Sequence, residues 1–204
     1  MNFDDKAKTW DTDPIKRERA FTVAAAIRQR VPLSRGWHAL EYGCGTGLLS
    51  FALHAELGQI ALADSSPGML AVLEEKIAAA GLSSHLHPLA LDLVTDSPPV
   101  GRYDLIYTLM TLHHVADVDR LLRAFRDLLR PGGWLCIADL DQEDGSFHGP
   151  GFTGHNGFHR AALRVQLMRA GFGGADFSTC YTMKKATDRG MREYPLFLAV
   201  AARP

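Results

Sequence analysis

The chain has 204 residues, 47% of them apolar and 22% charged, a balance that permits a packed globular core and excludes a disordered or fibrous chain. Its 22 basic and 23 acidic side chains nearly cancel, so no long-range field draws it to nucleic acid or acidic membrane. Cys44, Cys136 and Cys180 form no CxxC pair, which argues against a disulfide framework and a cysteine zinc site. No stretch nears the roughly 20 apolar residues of a membrane span, and a cytoplasmic protein without nucleic-acid or membrane partners is expected.

After a polar opening, residues 14–30 read as an amphipathic helix, with Pro14 in its first turn and Ala20, Val23, Ala24 and Ile27 at helical spacing. Short apolar runs then alternate with helical patterns, as in βαβ units around a parallel sheet. Strands are expected over 37–42, 59–63, 85–89, 103–108 and 134–139, with helices over 48–56, 67–80 and 118–129. Gly81 and the run Arg130-Pro131-Gly132-Gly133 stand where helices stop. A glycine-rich loop, a helix over 159–170 and strands over 175–181 and 196–201 complete a doubly wound, Rossmann-like α/β pattern. A single domain over 1–204 is expected.

Between the first strand and helix lies Glu41-Tyr42-Gly43-Cys44-Gly45-Thr46-Gly47, where glycines let the backbone turn tightly and approach a ligand. Two details oppose a dinucleotide: the third small residue of GxGxxG falls on Leu48, and Glu41 precedes the loop. A pyrophosphate is repelled by that carboxylate, whereas an ammonium or sulfonium is stabilised by it. Glu41 thus favours S-adenosyl-L-methionine over NAD, the plain alternative being a partly solvated strand-end acid. About twenty residues on, Asp64-Ser65-Ser66 ends the second strand, where an acid can hold both ribose hydroxyls; the alternative is helix capping, which Ser66 can perform alone. Met69, one helical turn later, can cover an adenine face or simply belong to the core. Asp92 and the neighbouring amide of Leu93 end the third strand, as an adenine-reading pair or as an exposed loop.

With these residues assembled, the chain resembles the class I S-adenosylmethionine-dependent methyltransferases over nearly its whole length, notably small bacterial members akin to ubiquinone and menaquinone biosynthesis methyltransferases. Glu41-x-Gly43-x-Gly45-x-Gly47 looks like their first motif, Asp64 like their ribose acid, and Asp92-Leu93 like their adenine pair. The stretch from Tyr103-Asp104-Leu105-Ile106 to His113-His114-Val115 is similar to their fourth-strand motif, which extends the expected cofactor contacts to Thr108, Leu109 and His114. The resemblance implies seven strands, six parallel, with the last antiparallel between its neighbours. It also implies a lid in residues 1–33, with Trp10 near the cofactor or packed as a plain aromatic.

Methyl transfer is an in-line displacement that asks a protein for orientation, a dry pocket and, for some acceptors, a proton acceptor. His114 and His155 are the weak candidates for that base, and the catalytic residue stays open. His148, His155 and His159 with Asp139 or Glu143 match no HExxH or HxxxH pattern on a clear helix, so no metal is expected. The loop 147–158 is expected to form a lid whose Phe147, Phe152 and Phe158 shape an apolar pocket. Thr108-Leu109-Met110-Thr111 stands where an Asn-Pro-Pro-Tyr motif would direct methylation to nucleic-acid or glutamine nitrogens. The expected activity is therefore methylation of a small molecule by a monomer or homodimer, the alternative being an S-adenosylmethionine-binding module without turnover.

Overall fold

The structure is a computed structural model that describes residues 3–97, 102–187 and 190–204. A 3-10 segment, Asp4–Thr12, leads into helix α1, Pro14–Arg30. Asp13 caps α1 by accepting from the Ile15 amide, and Pro14 takes the first-turn position where a missing N–H costs nothing. The alternation then runs β1 Ala39–Tyr42, α2 Leu48–Leu53, β2 Ile60–Asp64, α3 Pro67–Ala79, β3 Leu86–Ala90, β4 Tyr103–Leu109, α4 Val118–Leu128 and β5 Leu129–Leu140. Helix α5, Arg160–Arg169, precedes the hairpin of β6 Asp176–Thr187 and β7 Gly190–Ala202.

The seven strands lie in the order β3-β2-β1-β4-β5-β7-β6. β1 to β5 pair in parallel, and β7 is antiparallel to both β5 and β6. Strand alternation feeds two cores. Leu40, Ile106, Leu135, Ile137 and Phe197 pack with Leu121, Phe125, Leu163 and Leu167 of α4 and α5. On the other face Ala39, Leu62, Leu105 and Leu198 pack with Ala20, Val23, Ala24 and Ile27 of α1, and with α2 and α3. The α1 stripe read from spacing is thus the buried one.

One expectation needs correcting. Arg130 to Gly133 does not separate α4 from a strand that begins later: β5 starts at Leu129, directly after the helix. Tyr103 pairs with Leu129 but Leu105 with Trp134, so the Pro-Gly-Gly run bulges out of the ladder. The last hairpin also extends well beyond its expected ends.

The ring of Phe125 is fully buried and meets Tyr42 edge-on at 5.3 Å. Phe125→Ala is expected to cost roughly 3–5 kcal/mol by urea denaturation, the range for truncating a core aromatic.

Candidate active site

Where the order of the strands reverses, between β1 and β4, their carboxyl ends open a crevice, the usual ligand position of open α/β sheets. A cavity of about 560 Å³ occupies it. Its wall combines Glu41, Gly43, Cys44 and Gly45 from the β1 turn with Asp64, Ser65 and Met69 from the β2–α3 junction and Asp92 beyond β3. Leu109 and His114 close the β4 side, and Trp10 covers the mouth.

The loop geometry explains its composition. The amides of Gly43 and Cys44 both donate to the Ala63 carbonyl, at 2.8 and 3.0 Å. Gly43 has φ +67°, and a Cβ there would collide with Thr111. Gly45 has φ +53°, and a Cβ would point at Met69 Sδ, 3.9 Å away, and Trp10 Nε1, 4.0 Å away. Gly47 serves packing instead: at φ +78° its missing Cβ would lie 2.7 Å from Leu73 Cδ1, and it does not line the cavity.

Asp64 accepts from the Gly45 amide at 2.7 Å and from the Ser66 amide at 2.9 Å. Ser66 itself caps α3 through the Met69 amide, so Asp64 stays in the cavity wall as a brace of the glycine loop. Asp92 Oδ1 accepts from the Tyr42 hydroxyl and the Val94 amide. Burial, followed by the neighbouring Asp92 charge, holds the Tyr42 phenol well above its usual range.

Glu41 is buried, and its Oε2 accepts from both the amide and the hydroxyl of Ser50. That hydroxyl also meets Tyr107 Oη at 2.6 Å. Desolvation outweighs these bonds and pushes the Glu41 carboxyl up to about 8 from its ordinary 4.5. The same burial raises the Cys44 thiol well above its usual value, leaving it protonated and unreactive.

Like Gly47, three further expected site residues lie elsewhere. Leu93 is packed in the core, Thr108 is buried with its hydroxyl unpartnered, and neither lines the cavity. His155 is turned away, its Nε2 lying 3.0 Å from the Val115 carbonyl. In the loop 147–158 the three phenylalanines separate: Phe147 lines the cavity, Phe152 stacks on His148 at 3.8 Å, and Phe158 joins the core.

The sequence reading also missed groups. Arg19 from α1 lines the cavity with its Nε buried and unpartnered, and Lys16 and Lys185 stand nearby in the wall. Arg19 belongs to the polar positions of an amphipathic helix, so its spacing gave no signal. His113, His114 and His148 gather at the β4–β5 side, with potential ligand nitrogens all within 4.8 Å of one another. His113 Nδ1 lies 2.6 Å from Asp139 Oδ1, both side chains being buried. Burial, with neighbouring imidazoles, lowers both His114 and His148 to about 4.

The fold and cavity define a Rossmann-like α/β protein with a ligand crevice at the carboxyl edge of its sheet. Residues 40–135 match the model of a methyltransferase domain family. An uncharacterized methyltransferase of Schizosaccharomyces pombe is 32% identical over 120 residues, covering 56% of this chain and 42% of that protein. A ubiquinone biosynthesis O-methyltransferase of Marinobacter nauticus is 30% identical over 122 residues, covering 59% and 51%. A SAM-dependent methyltransferase structure from Aquifex aeolicus superposes with a TM-score of 0.72 at 18% identity, over 98% of both chains. The chain spans about half or less of the length of these two curated relatives. Residues 40–135 are thus similar to a methyltransferase domain, and the fold is shared with S-adenosylmethionine-dependent methyltransferases.

Because the folded state binds the Glu41 proton more tightly than the unfolded chain, that contribution to stability is complete below about 4.5 and is lost as pH rises through about 8. The melting temperature of the ligand-free protein is expected to fall between about pH 6.5 and 8, above the range in which the depressed His114 and His148 act in the opposite sense, and Glu41→Gln to flatten that part of the profile in thermal scans.

Proposed function

We propose that the protein transfers the methyl group of S-adenosyl-L-methionine to a small-molecule acceptor. The observation that carries this reading is the convergence of Glu41, Asp64 and Asp92, from the ends of three successive strands, on one cavity floored by bare glycine backbone. When bound, the cofactor supplies a methyl carbon already activated by positive sulfur.

This chain's residues fit such a group. Gly45 leaves space beside Met69 and Trp10, Gly43 keeps bare backbone in the wall against Thr111, and the acids favour a cationic, hydroxyl-bearing ligand over a pyrophosphate. Asp64 is assigned to the ribose and Asp92 to the adenine end, with Met69 and Trp10 as apolar cover. Arg19, a desolvated cation in the wall, suits a carboxylate. The 3-10 segment Asp4–Thr12 acts as the lid, since Asp4 accepts from the Ser66 hydroxyl and the Gly68 amide while Asp11 accepts from the Thr46 hydroxyl and Lys76.

On the other side, Leu109, Met110 and Phe147 give an apolar surface beside the imidazoles. Such a compartment excludes water and suits a compact acceptor with an apolar body. The balanced charge of the chain supports the same choice over nucleic acid.

Titration calorimetry with S-adenosyl-L-methionine, its demethylated product and NADH, followed by mass spectrometry over a panel of small acceptors, tests the reading. Cofactor binding with a gain of one methyl mass on an acceptor is expected; NADH binding alone overturns it, and binding without turnover replaces the enzyme by a binding module. Asp64→Ala is expected to weaken cofactor binding by roughly 1–3 kcal/mol, the scale of lost charged hydrogen bonds. Unchanged affinity removes Asp64 from the site. Since a nearby cation favours ionised Glu41, cofactor binding near neutral pH is also expected to release protons, read as a dependence of the calorimetric heat on buffer ionisation; Glu41→Gln abolishes it.

A further inference from the structure

We propose that His113, His114 and His148 form a binding site for one divalent first-row transition-metal ion, of the zinc class, at the β4–β5 side of the cavity. The residues come from two separate segments. His113 and His114 belong to the short 3-10 turn Leu112–His114 after β4, and His148 to the irregular segment between β5 and α5. All three line the cavity, and one ring nitrogen from each falls within 4.8 Å of the others.

The buried bonding around His113 is what separates this cluster from stacked aromatics. Asp139 is fully buried; its Oδ1 accepts from the Leu140 amide and faces His113 Nδ1, while its Oδ2 accepts from the His113 amide. A carboxylate so placed fixes the tautomer with the proton on Nδ1, leaving the lone pair on Nε2. That Nε2 is buried and has no hydrogen-bond partner, and the same is true of His148 Nε2. A carboxylate on one imidazole nitrogen and a bare lone pair on the other is how metal-binding histidines are commonly oriented. Phe152 stacked on His148 and Phe3 edge-on to His114 hold the other two rings from behind.

Neutral imidazoles without a thiolate suit zinc, copper, nickel or iron rather than calcium or magnesium. Zinc–nitrogen bonds of about 2.0–2.1 Å ask tetrahedral ligand atoms to lie about 3.4 Å apart, so the trio draws in by at most about 1.4 Å. Rotation of the His148 ring on its irregular segment supplies that movement. Three protein ligands leave further coordination positions on the cavity side, where an acceptor oxygen or a water can sit. The sequence reading expected no metal because it tested His148 with His155 and His159; the structure turns His155 towards the Val115 carbonyl and groups His148 with a different pair.

Metal binding can be read without an acceptor or methyl transfer, so its test is separate from that of the proposed activity. The untagged 204-residue chain, dialysed against chelator, is titrated with Co2+ while visible d–d absorption is recorded, and with Zn2+ by calorimetry. One equivalent is expected to bind, with ligand-field bands of imidazole coordination. His148→Ala and His114→Ala are each expected to weaken binding at least tenfold, with circular dichroism showing the fold retained. Asp139→Asn, a positioning variant, is expected to weaken it by about 10–100-fold. His85→Ala, altering the separate His54–His85 pair, leaves it unchanged. Absence of the bands, or equal affinity in wild type, His114→Ala and His148→Ala, overturns the proposal; so does loss of binding in His85→Ala alone.

Discussion

The organisation of the site depends on a carboxyl group denied its water. Glu41 is the penultimate residue of β1, the strand at the centre of the reversal, paired with Leu62 of β2 and Tyr107 of β4. In that position it is covered by sheet and α2, and its bonds come from Ser50 and not from a cation. An isolated buried carboxylate is expensive, and retention of its proton is the cheaper state. A positive charge entering the cavity favours the ionised form. The group is thus more than a fixed negative charge: its ionisation is coupled to what occupies the crevice. The Tyr107 hydroxyl, bonded to the same Ser50, gives the carboxyl's partner a second anchor in the sheet.

Around that floor the cover is held by separable contacts. Asp4 reaches the Ser66 hydroxyl and the Gly68 amide at the start of α3, and Asp11 reaches Thr46 and Lys76. The Asp11–Lys76 pair is partly solvated on both sides, and such pairs contribute about 0–1 kcal/mol each. A segment tied by a few weak polar contacts, with Trp10 and Phe3 turned to the cavity, can leave without unpacking the α1 core. Ligand exchange needs that division between a firmly packed helix and a loosely tied leader.

Periodicity and punctuation in the sequence yielded most of the helices and parallel strands, while the antiparallel place of the last strand came from the family resemblance. Pro14 and Ser66 mark helix starts that the structure retains, because capping is a local interaction between neighbours in the chain. The acids at strand ends were legible for a related reason, since a parallel strand delivers its last residues to a known edge. What escaped was decided between segments. Thr108 and Leu109 are adjacent, yet one is buried away from the cavity and the other lines it; successive strand residues point to opposite faces, and spacing alone does not reveal which face a strand end offers. Gly47 resembles Gly43 and Gly45 in sequence, but only the docking of Leu73 shows that it serves packing. Arg130 to Gly133 carries every turn signal and still bulges from a strand, because pairing to Tyr103 resumes immediately after α4.

The reversal point also divides the chemistry. The tips of β1 and β2 and the segment after β3 carry acids and bare backbone suited to the cofactor, whereas the β4 and β5 side carries imidazoles, aromatics and Lys185. The stretch shared with the family ends at residue 135, within β5 and before Asp139, Phe147, His148 and Lys185. These four residues touch or orient the second half of the cavity, and all come from the part of the chain that the shared pattern does not constrain. A methyl donor common to many proteins calls for a common half-site, while acceptor choice requires a half-site free to vary. The buried Asp139–His113 contact joins the two regimes: the histidine lies in the shared stretch, and the carboxylate that sets its tautomer lies just beyond it. The histidine turn itself is placed by β4, next to β1 at the point where the order of strands reverses.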